Sequence, residues 1–256
     1  MRVTVEGITV YLGTNLVLRN ISLDILSGSS TAVVGLSGCG KTTLLRTIAG
    51  LVEPKRGTVR IDGLSPQSTY GQGILAFLFQ EAYLWQHLTV AQNLELVLRL
   101  HRRAPDSKLI KAQLARVGLE HAEKLYPYQL SVGMRARAAI ARAHCVPPQV
   151  LLMDEPFAAL DPLRRLDLNR QVQDLRREYR STVIWVTHEV TEALQFASQI
   201  VAFPQPPQEG VAVFDLQGMP PIADPGRLPD AAIRLRDRIL QTIQGGAEKS
   251  EVEVRE

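Results

Sequence analysis

A short apolar run, Thr31-Ala32-Val33-Val34, passes directly into Gly35-Leu36-Ser37-Gly38-Cys39-Gly40-Lys41-Thr42, and the stretch from Thr42 to Ala49 then has helix-forming composition. Strand, glycine loop and helix in this order constrain the fold more than any other feature of the chain. The pattern Gly35-x-x-x-x-Gly40-Lys41-Thr42 matches a phosphate-binding loop. Its glycines let backbone N–H groups close on phosphate, its lysine reaches the β and γ oxygens, and its threonine hydroxyl ligates Mg²⁺. A merely structural glycine turn would need neither the strand before it nor the helix after it.

The rest of the chain supplies a fold to match. Val3-Thr4-Val5 and Ile8-Thr9-Val10 alternate apolar with polar, and Tyr11 to Asn15 reads as a turn before Leu16-Val17-Leu18, so the first 30 residues predict an antiparallel β region. Gly57 to Gly63 reads as a strand closed by an Asp-Gly turn, and Ile74 to Phe79 as a buried strand ending at Gln80. From Thr89 to about Gly118 the apolar spacing is helical, with Pro105-Asp106-Ser107 as a break and N-cap. Strands and helices then alternate: Val150 to Met153, a helix from Pro162 to Tyr179, Thr182 to Thr187, a helix from Glu189 to Ala197, and Gln199 to Phe203. Short apolar strands separated by helices imply a mainly parallel sheet covered on both faces. Pro204-Gln205-Pro206-Pro207 breaks regular structure, a last amphipathic helix is expected from Asp230 to Ile243, and the final dozen residues read as a frayed acidic tail.

Composition excludes several classes. With 256 residues and 45% apolar content the chain can bury a large core. Its longest apolar runs are far shorter than the ~20 residues that cross a bilayer. The opening Arg2-Val3-Thr4-Val5 carries no secretory pattern, so a cytoplasmic protein is expected. Cys39 and Cys145 are too few for a disulfide framework or a zinc site. The net charge is +3, and the basic residues Arg99, Arg102, Arg103, Lys108 and Lys111 have no interleaved aromatics, which favours a solvated helical face over a nucleic-acid surface.

Val150-Leu151-Leu152-Met153-Asp154-Glu155 is an apolar strand that ends in two acids. The first acid can hold Mg²⁺ and the second can polarise a water for attack on a γ-phosphate. Acidic residues at strand ends are common, and the pair gains meaning from the phosphate loop. Together these residues resemble the ATP-binding-cassette (ABC) transporter ATPases, and the likeness runs in the family's motif order from about Val3 to Phe203. The resemblance implies an α/β P-loop NTPase core with a mainly parallel sheet, an N-terminal antiparallel β subdomain and a helical insert at about 89–135.

The likeness assigns further roles. Tyr11, 30 residues before Lys41, stands where the family places an aromatic on adenine, although a strand tyrosine is as readily part of a core. Gly35, Leu36, Ser37, Gly38, Cys39, Gly40, Lys41, Thr42 and Thr43 would hold the nucleotide phosphates, with Thr42, Gln80 and Asp154 around Mg²⁺. Gln80 matches the glutamine that senses metal and attacking water, Glu155 the catalytic base, and His188 the switch histidine. Ala159-Leu160-Asp161 looks like the loop that crosses the dimer interface. Leu130-Ser131-Val132-Gly133-Met134 is similar to the family signature, whose Ser131 and Gly133 would clamp the γ-phosphate of ATP held by a second subunit.

The residues support that assignment independently. A helix opening at Ser131 to Gly133 offers free N–H groups and a positive dipole end, suited to an anion. The intervening helical insert makes a second chain the natural source of that anion. Two departures carry expectations of their own. Val132 stands where the signature has its first glycine; if that position needs positive φ or close backbone approach, closure is weakened, and if Val132 keeps negative φ and points away, nothing changes. Cys39, beside Lys41 and a helix N-terminus, is expected to have a depressed thiol pKa and to be protected from alkylation by MgATP.

The implied protein is the ATP-hydrolysing subunit of a transporter, peripheral on the inner face of the membrane. Its expected partners are a second ATP-binding subunit, membrane permease subunits and a periplasmic substrate-binding protein. The Met134-Arg135 ending of the signature and the Tyr126-Pro127 approach look similar to bacterial importer subunits for nitrate, sulfonate and taurine. An exporter or lipid-handling subunit and a soluble non-transport ABC ATPase share the core motifs. Residues 1–203 would form the ATPase domain and 204–256 a short extension.

Overall fold

The computed structural model describes residues 1–205, 209–219, 222 and 228–245. Three strands, β1 (Val3–Leu12), β2 (Asn15–Ile25) and β4 (Arg56–Ile61), make an antiparallel sheet in the order β2-β1-β4. The central sheet joins β3 (Ser30–Val34), β5 (Leu75–Leu78), β6 (Val150–Asp154), β7 (Thr182–Val186), β8 (Gln199–Ala202) and β9 (Ala212–Asp215) in the order β5-β6-β7-β3-β8-β9. Every pairing in it is parallel except β8 with β9. Strands β3, β6 and β7 are buried at every residue, as expected of a parallel sheet covered on both faces.

Side-chain alternation along these strands divides the molecule into two cores. Val33, Val150, Leu152, Ile184, Val186 and Val201 face one way, onto α1 (Lys41–Ile48) and the antiparallel sheet. Their neighbours Ala32, Val34, Leu151, Met153, Val183 and Trp185 face the other way. On that second face lie α2 (Val90–Leu100), α3 (Ser107–Arg116), α4 (Val132–His144), α5 (Pro162–Tyr179), α6 (Val190–Phe196) and α7 (Asp230–Ile243). The glycine loop and the Ser131–Gly133 turn therefore belong to elements on opposite faces of the sheet.

Local chemistry explains the helix starts. Thr89 and Gln92 form a reciprocal capping box on α2, Asp106 accepts a hydrogen bond from the Leu109 N–H at 3.0 Å, and Ser131 accepts one from the Met134 N–H at 3.2 Å. Pro162 occupies the first position of α5, where a missing N–H does no harm. Strand β9 is absent from the sequence expectation, which has the prolines after Phe203 ending regular structure. It forms because four residues suffice to pair with the free edge of β8, with Ile200 opposite Phe214. The expected frayed tail lies beyond Gly245, outside the described residues. Among the described residues no helix is long and apolar enough to cross a membrane.

Candidate nucleotide site

The site is assembled at the C-terminal ends of four neighbouring strands. β3 ends at Val34 and turns into the loop at Gly35, where a Cβ would lie 2.9 Å from both Cys39 Sγ and Phe203 Cβ. Gly40 has a φ of 107°, and a Cβ there would meet Leu18 Cδ2 at 2.7 Å. Both positions combine a backbone that L-residues avoid with a neighbour that leaves no room, so glycine is needed twice over. The tip, Leu36 to Gly38, is exposed, whereas Cys39, Gly40, Lys41 and Thr43 are buried. Helix α1 starts at Lys41 with no side-chain cap and no acidic residue in its first turn, which leaves its positive end uncompensated.

Lys41 reaches back over the loop, its Nζ donating to the Gly35 carbonyl at 2.9 Å and the Leu36 carbonyl at 2.8 Å. The Thr42 hydroxyl donates to Asp154 Oδ1 at 2.9 Å. Asp154 ends β6 and is buried; its pKa is raised by burial, against the pull of the Thr42 hydrogen bond and of the Arg46 and Lys41 charges. Among the described residues it has no ion-pair partner. A buried carboxylate with a hydroxyl beside it is a hard oxygen donor set, and a divalent cation would offset the desolvation that raises its pKa, so these two residues fit Mg²⁺.

Glu155 follows with a φ of 43°, a conformation that costs a non-glycine residue of order 1 kcal/mol and directs the chain sharply out of β6. His188 lies just beyond β7, and its Nδ1 sits 3.6 Å from Glu155 Oε2. Parallel register produces the meeting: Asp154 pairs with Val186, so the residues that follow each strand emerge side by side. On the other flank Leu78 pairs with Met153, and the exposed Gln80 leaves β5 next to the same acidic end of β6. Tyr11 is 40% exposed, carries the Lys55 ammonium 4.9 Å from its ring centroid, and connects to the loop through the sheet, since Val10 pairs with the Leu18 that packs on Gly40.

Ser131 and Gly133 are brought to a different place. A Cβ on Gly133 would meet Leu160 Cδ2 at 3.6 Å, so the start of α4 lies against the Ala159-Leu160-Asp161 turn. Asp161 caps α5, accepting from the Arg164 N–H at 3.1 Å.

Residues 18–158, more than half of the chain, match the ABC transporter family. The chain belongs to that family. The α/β P-loop fold, ATP binding and ATP hydrolysis come with this membership. This ABC protein is 40% identical to the aliphatic sulfonates import ATP-binding protein SsuB of Burkholderia ambifaria, over 95% of the chain and 72% of SsuB. It is also 40% identical to the sulfate/thiosulfate import ATP-binding protein CysA of Escherichia coli, over 80% of the chain but only 58% of CysA. Among solved structures, a dimeric post-hydrolysis state of the ATP-binding cassette MJ0796, bound to ADP and Pi, superposes with a TM-score of 0.75 at 30% identity, covering 85% of this chain and all of that one.

One sequence expectation about this ABC protein is corrected, and one open alternative is decided. The Cys39 thiol is pushed up, not down, because burial outweighs the Lys41 charge and the backbone hydrogen bonds beside it. Val132 does not occupy a positive-φ position: it is the first residue of α4, half exposed, with ordinary helical backbone. Sequence reasoning also missed Asn93, fully buried in α2, whose amide holds the segment from Trp85 to Thr89 that follows Gln80. Nothing in the apolar spacing of α2 marks it.

Proposed function

We propose that this chain is the ATP-hydrolysing subunit of an importer, acting as one half of a dimer that sandwiches ATP and drives membrane permease subunits. The observation that carries the reading is the division of labour across the sheet. Lys41, Thr42, Asp154, Glu155, Gln80 and His188 stand at the C-terminal edge of the sheet, whereas Ser131 and Gly133 open a helix that packs on the opposite face from α1 and presents its positive end. A second subunit completes both halves.

In this reading the phosphates lie along Gly35 to Thr43, Lys41 exchanges its two loop carbonyls for phosphate oxygens, and Tyr11 supports the adenine. Thr42 and Asp154, with Gln80, hold Mg²⁺, which neutralises charge on the phosphate oxygens. Glu155 accepts the proton of the attacking water on its carboxylate, and His188, 3.6 Å away, donates to the γ-phosphate. Ser131 and Gly133 address the γ-phosphate of the partner subunit's nucleotide, and Asp161 stands at the interface. Residues 1–203 form the catalytic domain, with the insert at 89–135, and 204–256 form a short extension. The protein would sit on the inner face of the membrane beside its permease, with a periplasmic binding protein delivering solute. The names of its relatives favour a small oxyanion or an organic sulfonate as that solute.

The test is the oligomeric state of full-length E155Q with MgATP. A nucleotide-dependent dimer that disperses with MgADP is expected; a monomer at all ATP concentrations, alone and with the co-expressed permease, overturns the reading. Uptake of labelled sulfate and aliphatic sulfonate into vesicles carrying the assembled transporter identifies the solute.

A further inference from the structure

Behind Glu155 and His188 the chain builds a connection that the roles above do not use. Arg165, on the second turn of α5, has a side chain only 15% exposed and spans two acceptors. Its Nη2 donates to the Leu160 carbonyl at 3.1 Å, and its Nη1 meets Glu192 Oε1 on α6 at 3.2 Å. The second Glu192 oxygen, Oε2, accepts from the Thr187 hydroxyl at 3.2 Å. That hydroxyl in turn accepts from the Glu189 N–H at 3.1 Å. His188 is thus bracketed: the residue before it and the residue after it are both tied, through Thr187, to Glu192. The same side chains line a small cleft, with about 20 Å³ of room for solvent, that Glu155, Trp185 and His188 also border.

A partly buried ion pair of this kind is a poor source of stability, because desolvating both charges offsets much of their attraction. Its geometry is more informative. A guanidinium is a rigid planar fork, so the Leu160 carbonyl and the Glu192 carboxylate are held at a fixed separation. Leu160 is also the residue against which Gly133 rests.

We propose that Arg165 and Glu192 are positioning residues for His188, linking the Leu160–Asp161 turn, where a neighbouring subunit would press, to the Thr187–Glu189 turn that carries the histidine. The inference rests on Glu155 and His188 being the groups that act on the nucleotide. Displacement of the Leu160 turn then moves His188 relative to Glu155, so that dimer closure and assembly of the reacting pair become one event.

The experiment uses full-length R165A, R165K and E192Q, with E155Q as reference, and pairs turnover with the imidazole resonances of the histidine-labelled chain, His188 being assigned by H188A. Misplacing a reacting group by about an ångström is expected to lower kcat about tenfold while KM and MgATP affinity stay within about twofold. The double variant R165A/E192Q should lose no more than the worse single one, since both break the same link. R165K, which can reach one acceptor but not both, should fall between wild type and R165A. It also stands in for R165A if that variant fails to fold. R165A and R165K should shift the His188 resonance and leave that of the distant, buried His144 in place. Wild-type kcat in R165K and E192Q with E155Q inactive overturns the proposal, as does a loss of kcat with an unmoved His188 resonance. Wild-type turnover in E155Q instead overturns the catalytic assignment on which the proposal stands.

Discussion

The Thr42 hydroxyl donates to Asp154 Oδ1 at 2.9 Å across 112 residues of sequence, joining the first turn of α1 to the end of β6. The bond satisfies a carboxylate that burial would otherwise leave bare, yet it does not cancel the desolvation, and the Asp154 pKa stays raised. A raised carboxyl pKa means the folded chain holds a proton that the unfolded chain has already released. Stability is therefore lost as pH rises from the ordinary aspartate value of about 3.9 through the raised one, and it stays lower above that window. Asparagine keeps an acceptor for Thr42 without a charge to desolvate. In the absence of divalent cations, D154N is expected to melt higher than wild type at pH 7, with the gap closing as the pH falls towards 4. Added Mg²⁺ should stabilise wild type only, and hydrolysis should be lost. Thermal melts at the two pH values decide it, and a D154N that melts lower at pH 7 contradicts this account of the site.

Gly133 and Val132 separate the needs of the fold from those of a partner. A Cβ on Gly133 would make only an ordinary contact with Leu160, and alanine inside a helix is favoured over glycine by up to about 1 kcal/mol. G133A should therefore keep or slightly raise the melting temperature, and it should lower ATP turnover if the second subunit's phosphate must come close to the backbone at this turn. Val132 is exposed at the first position of α4 with ordinary helical backbone, so V132G should alter stability by less than about 1 kcal/mol and leave turnover in the assembled transporter unchanged. Paired melts and ATPase rates check both, and a G133A protein with normal turnover removes Gly133 from the clamp.

Much of this architecture was legible because the signals are local. The bounds expected for α5 and α7, Pro162–Tyr179 and Asp230–Ile243, are the bounds observed, since proline placement and amphipathic spacing act within a few residues. The apolar run closed by Asp154 and Glu155 likewise announces β6. Strand β9 was not legible, because four residues form a strand there only by virtue of the β8 edge they pair with. Sequence spacing also leaves open which face of the sheet receives α4, how close Arg165 and Glu192 come across 27 residues, and the positive φ of Glu155. These depend on side chains meeting after packing. Cys39 shows the same limit from the other direction: its neighbours in sequence argue for an acidic thiol, and burial, which the sequence does not state, reverses the sign.

Cys39 therefore yields a prediction opposite in sense to the local one. The thiolate is the reactive species, and its fraction falls about tenfold for each unit by which the pKa rises. Cys39 is buried with a raised pKa, and Cys145 is buried with its thiol pushed up to about 12. In the nucleotide-free native protein at pH 7.5, iodoacetamide should modify both cysteines at least about tenfold more slowly than a free thiol, with full reactivity appearing only in denaturant. Mass spectrometry of C39S and wild type distinguishes the two positions. Rapid native labelling at Cys39 would restore the acidic-thiol reading.

Asn93 tests whether the segment after Gln80 is held by this chain alone. Its Oδ1 accepts from the Trp85 N–H at 2.8 Å, and its Nδ2 lies within 3.1 Å of the Trp85, Leu88 and Thr89 carbonyls. In α2 the Gln92 side chain adds one further bond, accepting from the Thr89 N–H at 2.8 Å. Arg142 adds a second support, placing its guanidinium 5.3 Å from the Trp85 ring centroid. Truncation by N93A leaves the Trp85 N–H and the Leu88 carbonyl without their side-chain partner, which should cost about 2–3 kcal/mol and lower the melting temperature by roughly 5–10 °C. N93D should be worse, since it turns a carboxylate oxygen towards backbone carbonyls where the amide now donates. Of the site residues only Gln80, just past β5, adjoins this segment, whereas Lys41 and Thr42 on α1 and Asp154, Glu155 and His188 at the ends of β6 and β7 do not, so ATP turnover of N93A well below its melting temperature should change less than its stability. A variant that melts like wild type would show that the Trp85–Thr89 segment is held by something other than this amide. One that folds normally but no longer hydrolyses ATP would place the segment inside the catalytic machinery.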